Sequence, residues 1–199
     1  MRKADVRLLL RAVQRHEIEH IMKKPVIAPL LVFALVGASC SHRAPSPTVV
    51  FVIRHAEKAV GGDDPPLTEA GQRRAQALAQ VTEDSHIGAI YTSQFKRNHE
   101  TAQPLSDKIG VPITEAPVNL SQPGDYGQTL AKEILAKHAG QSVVVVGHQN
   151  TIPGLVEGFS GRLAPGLKDL EYSRLFIIVI PSEGSPRLIR AQYGQPDGE

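Results

Sequence analysis

The chain has 199 residues, 41% hydrophobic and 21% charged, with a net charge of +2 and one cysteine. That composition suits one soluble domain with an appendage, and acids and bases spread along the chain leave no basic face for nucleic acid. With no such face, any anion has to be held locally, and the lone Cys40 excludes an internal disulfide framework and any multi-cysteine metal site.

The stretch "MKKPVIAPLLVFALVGASC" (22–40) has two lysines, an apolar segment of signal length and small residues before the cysteine. It reads as an export signal. It resembles a bacterial lipoprotein signal, which implies a lipidated Cys40, a membrane anchor and a periplasmic or cell-envelope location. Residues 1–21 are then an upstream extension, disordered or untranslated. Their "HEIEH" (16–20) fits the H-E-x-x-H zinc spacing. Nothing around it offers a core or a third ligand, so we read a chance match and expect no metal. Residues 41–47 form a polar, proline-containing linker, and the folded domain is expected over 48–199.

"TVVFVI" is a continuous β-branched and aromatic run, as for a strand covered on both faces. "KAVGGDDPP" is a loop. "LTEAGQRRAQALAQV" spaces Ala75, Leu78 and Ala79 as on one helix face behind a Thr68 cap, with Arg73 and Arg74 on a solvated side. "AIYTS" (89–93) is a short strand. "QFKRNHETAQPLSDKIG" is a helix that Ser93 caps, Gly110 ends and Pro104 bends or interrupts. A short strand around Ile113, the loop "SQPGDYG" and a helix near 127–138 follow. "SVVVVGH" is a second wholly apolar strand ending in a histidine, a helix starts around Thr151, and "RLFIIVI" and "RLIRAQY" close the domain.

Strands alternating with helices predict a three-layer α/β/α sandwich with a mostly parallel central sheet, whose ligands bind beyond the carboxyl ends of the strands. Arg54 and His55, Ser93 to Arg97, and Gly147 and His148 all fall at such ends. Two arginines and two histidines would then line one pocket. Guanidinium forks and helix N-termini suit a dianionic phosphoryl group, and without clustered carboxylates the cations replace magnesium.

"RHAEK", "SQFKRNHETA" and "VVGHQNT" together resemble the histidine phosphatase superfamily, with its phosphoglycerate-mutase-like fold, over about Thr48 to Tyr193. The resemblance implies that His55 is the nucleophile that becomes phosphohistidine, that Arg54 and Arg97 clamp the phosphoryl group, and that His148 binds its oxygens. Ser93 and Thr101 are read as structural support. No cofactor is implied.

The leaving oxygen needs a proton donor. Glu115, Asp125 and Glu133 lie between the second and third motifs. Asp125 is our choice, because a glycine-flanked loop can reach the pocket mouth and small phosphohistidine phosphatases carry a similar "PGD". Glu57 is its rival and a candidate substrate contact. Asn150, with Gln149, either contacts substrate or caps the helix, and Asp63 and Asp64 either shape the pocket mouth or only solubilise their loop. His99 and His138 read as surface residues.

Between Thr101 and Gly147 there are 45 residues, too few for the long helical insertions of mutases and large acid phosphatases in that superfamily. A mutase must also keep water from its phosphohistidine. The chain therefore reads as a compact, metal-independent phosphatase acting on a small phosphorylated substrate. A phosphohistidine protein phosphatase and a non-catalytic tethered phosphate binder are the alternatives.

Overall fold

The computed structural model describes residues 45–197. The expectations for residues 1–44, Cys40 and "HEIEH" included, lie outside the described residues. In chain order the elements are β1 (Thr48–Arg54), α1 (Glu69–Thr82), a 3-10 turn (Glu83–Ser85), β2 (Ile87–Thr92), α2 (Lys96–Ile109), β3 (Ile113–Glu115), α3 (Tyr126–Lys137), β4 (Ser142–Gly147), α4 (Ile152–Ser160), β5 (Arg174–Ile180) and β6 (Arg187–Gln192).

The six strands form one sheet in the order β3-β2-β4-β1-β5-β6. β3, β2, β4 and β1 pair in parallel, and β5 runs antiparallel to both β1 and β6. The sheet is thus mostly parallel, as the sequence predicts. Alternate strand residues feed two cores: Val50, Val52, Val143 and Val145 pack with Leu130 and Ile134 of α3 and Leu155 of α4. Phe51, Ile53, Val144 and Val146 pack on the other face with Leu78 of α1 and Leu105 of α2. Val50 to Ile53 are wholly buried, which is why β1 reads as a continuous apolar run rather than an alternating one. At about 1.5–3 kcal/mol for each large side chain so buried, the register of the central strands is fixed by packing on both sides.

That register positions the site. Arg54 is paired with Gly147 and Ile53 with Val146, so the residues that follow, His55 and His148, leave the sheet side by side. Thr92 pairs with Val146 on the other flank, bringing Ser93 to the same edge. The edge strands β3 and β6 are half-buried to exposed and contribute nothing to this cluster.

α2 starts later than the sequence suggests. Its N-cap is Phe95, with no capping bond from its own flank. The Asp64 carboxylate caps it from the β1–α1 loop, accepting the Lys96 N–H at 3.0 and 3.1 Å. Ser93 is therefore free for another partner. Pro104 lies inside α2, which continues through it.

Candidate active site

Three strand-to-helix junctions converge here. His55 N–H donates to the Gly147 carbonyl at 2.9 Å, continuing the β1–β4 ladder one residue beyond the strands. Ala56 N–H donates to Thr101 Oγ1 (2.9 Å), and that hydroxyl donates to the Arg97 carbonyl at 2.6 Å. Asn98, wholly buried, donates to the Val146 and Gly147 carbonyls at 2.9 and 3.2 Å. The α2 start and the ends of β1 and β4 are thus tied together by hydrogen bonds from buried polar groups, although Asn98 Oδ1 is buried without a partner. Ser93 and Thr101, expected as support, take that part.

The rings of His55 and His148 meet edge to face, centroids 5.3 Å apart, and both residues are 3% exposed. His55 Nδ1 lies 2.8 Å from the Ala56 carbonyl oxygen. A carbonyl only accepts, so Nδ1 carries the proton and Nε2 keeps its lone pair. His148 Nδ1 faces Arg97 Nη2 at 3.4 Å, and guanidinium only donates. Nε2 of His148 is then the protonated nitrogen, donating to Ser93 Oγ at 2.7 Å. Burial lowers the pKa of His55 to about 3, a shift that the Ala56 contact opposes and the cations Arg54, Arg97 and Lys58 reinforce. His148 is also lowered to about 3, by burial first and then by His55, Arg97 and Arg54. At neutral pH both imidazoles are uncharged, and one presents an unprotonated ring nitrogen.

Arg54 and Arg97 are each 6% exposed. The Arg54 guanidinium carbon stands 4.2 Å from the centre of the Tyr172 ring, and Arg97 stands 4.4 Å from that of Phe95. Arg54 Nη1 donates to the carbonyls of Lys168 and Asp169 at 3.1 and 2.7 Å. Arg97 Nη1 reaches Asp64 at 3.5 Å. Both guanidinium groups keep a buried Nε without a partner, so the protein meets their donor capacity only in part. Such a pair can stabilise charge that develops on an oxyanion between them. Among the described residues, no three His, Cys, Asp or Glu side chains are grouped to hold a metal ion.

His55, Arg54, Arg97 and His148 are therefore brought together, and three other expected site residues are not. Asp125 is exposed at the N-cap of α3 and lines a separate cavity of about 390 Å³ with Tyr91, Glu115 and Glu133. No contact joins its carboxylate to the histidines or arginines. Glu57 is taken by Arg74, whose Nε and Nη2 donate to its carboxylate at 2.7–3.0 Å. Arg74 itself is 3% exposed, which corrects its assignment to a solvated face. Asn150 Nδ2 donates to the Leu120 carbonyl at 3.0 Å, so it braces the β3–α3 loop. Gln94 braces the same loop through a reciprocal pair with Val118.

The groups that sequence reasoning missed come from loops. Tyr172 lies 6.1 Å, ring to ring, from His55, and Phe95 packs 5.3 Å from His148. Asp64, which the sequence offered either as shaping the pocket mouth or as solubilising its loop, is the carboxylate that touches Arg97. Its pairing with an α2 N-terminal N–H carries a loop-level signal only in the acidic "GGDDPP" run, which any solvated loop shares.

Two neutral histidines and two buried arginines thus meet at the carboxyl edge of a mostly parallel sheet. The profile of the histidine phosphatase superfamily (branch 1) matches residues 50–118. A probable phosphoglycerate mutase GpmB of Yersinia enterocolitica is 33% identical over 75 residues, which is 34% of this chain and 35% of that protein. An uncharacterized phosphatase PhoE of Bacillus subtilis is 26% identical over 124 residues, 59% of this chain and 63% of the relative. The chain thus spans between about a third and two thirds of the length of these curated relatives. Among solved structures, the protein histidine phosphatase SixA complexed with tungstate superposes with a TM-score of 0.58 at 19% identity, over 72% of this chain and 96% of that one. Over residues 50–118 the chain is thus similar to the histidine phosphatase superfamily, and its fold is the phosphoglycerate-mutase-like α/β fold of that solved structure.

Proposed function

We propose that this chain is a metal-independent phosphoric monoester hydrolase that works through a phosphohistidine on His55. The observation that carries the reading is the uncharged His55 ring, Nδ1–H held by the Ala56 carbonyl, within electrostatic reach of the buried Arg54 and Arg97 guanidinium groups. Its free Nε2 attacks phosphorus in line. The P–N bond forms as the P–O bond to the alcohol breaks, while Arg54 and Arg97 balance charge on the equatorial oxygens and His148 orients Arg97 through Nδ1. The leaving oxygen takes its proton from solvent water, and we assign the orienting of that water to Asp64, the carboxylate paired with Arg97, in place of Asp125 and Glu57. Water then cleaves the P–N bond, releasing phosphate and restoring the imidazole.

The two arginines supply the charge that a metal would bring, so turnover of p-nitrophenyl phosphate should persist in EDTA. No turnover on a broad panel of phosphate esters would overturn the proposal. The short segment between α2 and β4 holds β3, one loop and α3, which leaves the pocket without an inserted helical cover and favours hydrolysis over a mutase reaction.

A second reading takes phosphohistidine in a protein as the substrate. No carboxylate is bonded to either histidine, and a leaving imidazole needs less help from an acid than a leaving alkoxide. A solved structure of the same fold is that of a protein histidine phosphatase. Comparing kcat/KM on a phosphohistidine protein and on alkyl phosphates separates the two. Residues 22–40 support export and an envelope location through lipidated Cys40; Cys40→Ser should then shift the protein out of the membrane fraction.

A further inference from the structure

Among the described residues, Arg74 is the most connected charged side chain outside the Arg54–Arg97 site. Its guanidinium donates to Glu57 on one side. On the other, Nη1 donates to the carbonyls of Tyr193 and Gln195 at 3.0 and 2.9 Å, just past the end of β6, and Nη2 lies 3.8 Å from Asp197. Asp197 in turn accepts Tyr172 N–H (2.8 Å), Ser173 N–H (2.7 Å) and the Ser173 hydroxyl (2.6 Å). Burial alone would raise the Asp197 pKa; the Ser173 and Tyr172 hydrogen bonds and Arg74 hold it below the ordinary carboxylate value. The carboxylate is ionised and fully engaged.

Both ends of this chain of contacts finish against His55. Glu57 is two residues from it, and its backbone carbonyl accepts the Thr68 N–H at 2.9 Å under the start of α1. The fit there is close enough that a Cβ on Gly71 would stand 2.2 Å from that carbonyl oxygen. Tyr172, at the other end, carries the ring that lies across Arg54 and beside His55. A buried arginine with a fixed planar fork can hold two carboxylates and two carbonyls at once, which lysine cannot.

We propose that Arg74 is a positioning residue of the phosphoryl site, and that through Asp197 it holds the Tyr172 wall in place while through Glu57 it holds the loop that carries His55. The segment after β6 is thereby part of the site, although it contributes no atom to the reacting centre. The inference rests on the phosphatase reading for its kinetic test and on anion binding for an independent one. Displacement of a wall by a fraction of an ångström lowers turnover more than it lowers substrate affinity.

The test is a double-mutant cycle on Asp197→Asn and Tyr172→Ala, with Arg74→Lys as a third variant. Asp197→Asn should lower kcat on p-nitrophenyl phosphate about tenfold with KM within about twofold, and Arg74→Lys should do the same or worse. In the Tyr172→Ala background the Asp197→Asn effect should shrink to less than about twofold, because its route runs through that ring. A full Asp197→Asn effect in both backgrounds, or wild-type kcat with only a lowered melting temperature, would overturn the proposal. If the wild type turns over no ester, the phosphatase reading fails alone. The same cycle is then read by calorimetry with orthovanadate, where coupled losses support the positioning role and independent or absent losses end it.

Discussion

Arg54, His55 and His148 leave strands whose preceding residues are wholly buried, whereas Asp64 and Tyr172 reach the same space from segments outside the sheet. The first group inherits its position from β1–β4 pairing, in which a slip of one residue would turn every core side chain to the opposite face. The second group is placed by a few polar contacts: Asp64 by the Lys96 N–H and Arg97, Tyr172 by Asp197 and the Arg54 face. Groups of the first kind suit chemistry that tolerates no displacement, while groups of the second kind can yield to a substrate. Gly61 and Gly62, both at positive φ with open space around them, give the Asp64 loop that freedom.

The difference can be broken at several points. The largest effect is expected at Arg97, which stands on the junction itself: Arg97→Ala should lower kcat/KM by about 10²–10³-fold, and Arg97→Lys should recover only part of that, since the fork is lost. A loss under tenfold would mean that the sheet edge does not supply the charge.

The histidines give the next effect, and its sign is determined. Both have folded pKa values near 3 against an ordinary 6.5, so between those limits the unfolded chain binds more protons. Stability is then complete above about pH 6.5 and falls as the pH drops toward 3, by up to about 2.7 kcal/mol per pH unit for the pair. Chemical denaturation across pH 4–8 measures this slope, and His148→Gln should remove about half of it. A flat profile would contradict the burial of two neutral imidazoles.

Smaller still is the effect of Gly71→Ala, which drives a methyl into the Glu57 carbonyl. It should cost about 1–3 kcal/mol of stability and disturb the loop carrying His55. The smallest effect belongs to the loop side. Asp64→Asn removes a carboxylate that competes for Arg97, so inorganic phosphate should bind about two- to fivefold tighter while alkyl phosphate turnover falls. Weaker phosphate binding in calorimetry would mean that Asp64 supports the clamp instead of competing for it.

What could be seen in the sequence follows the same division. β1 and β4 stand out because strands buried on both faces need unbroken apolar runs, and a charged residue ending such a run is conspicuous. The wall and the cap carry no such pattern. Ser93 sits where a helix cap is expected, yet α2 begins two residues further on and the hydroxyl serves His148. Arg74 stands beside Arg73 in a helix whose polar residues look solvated; only the fold brings Glu57 and the residues after β6 to its fork. Asp125 fits a loop glycine pattern, but its loop is drawn toward β3 and α3 by Tyr126, which donates to the Ala116 carbonyl. Loop residues are placed by partners distant in sequence, and spacing alone does not name those partners.

The most direct measurement is to mix the protein with a radiolabelled phosphate ester, quench rapidly at alkaline pH, where phosphohistidine survives, and map the labelled peptide. The account predicts label on His55 that is chased by water and is absent in His55→Ala, a variant that should still bind inorganic phosphate. Turnover without labelled His55, or label on His148 instead, would contradict it.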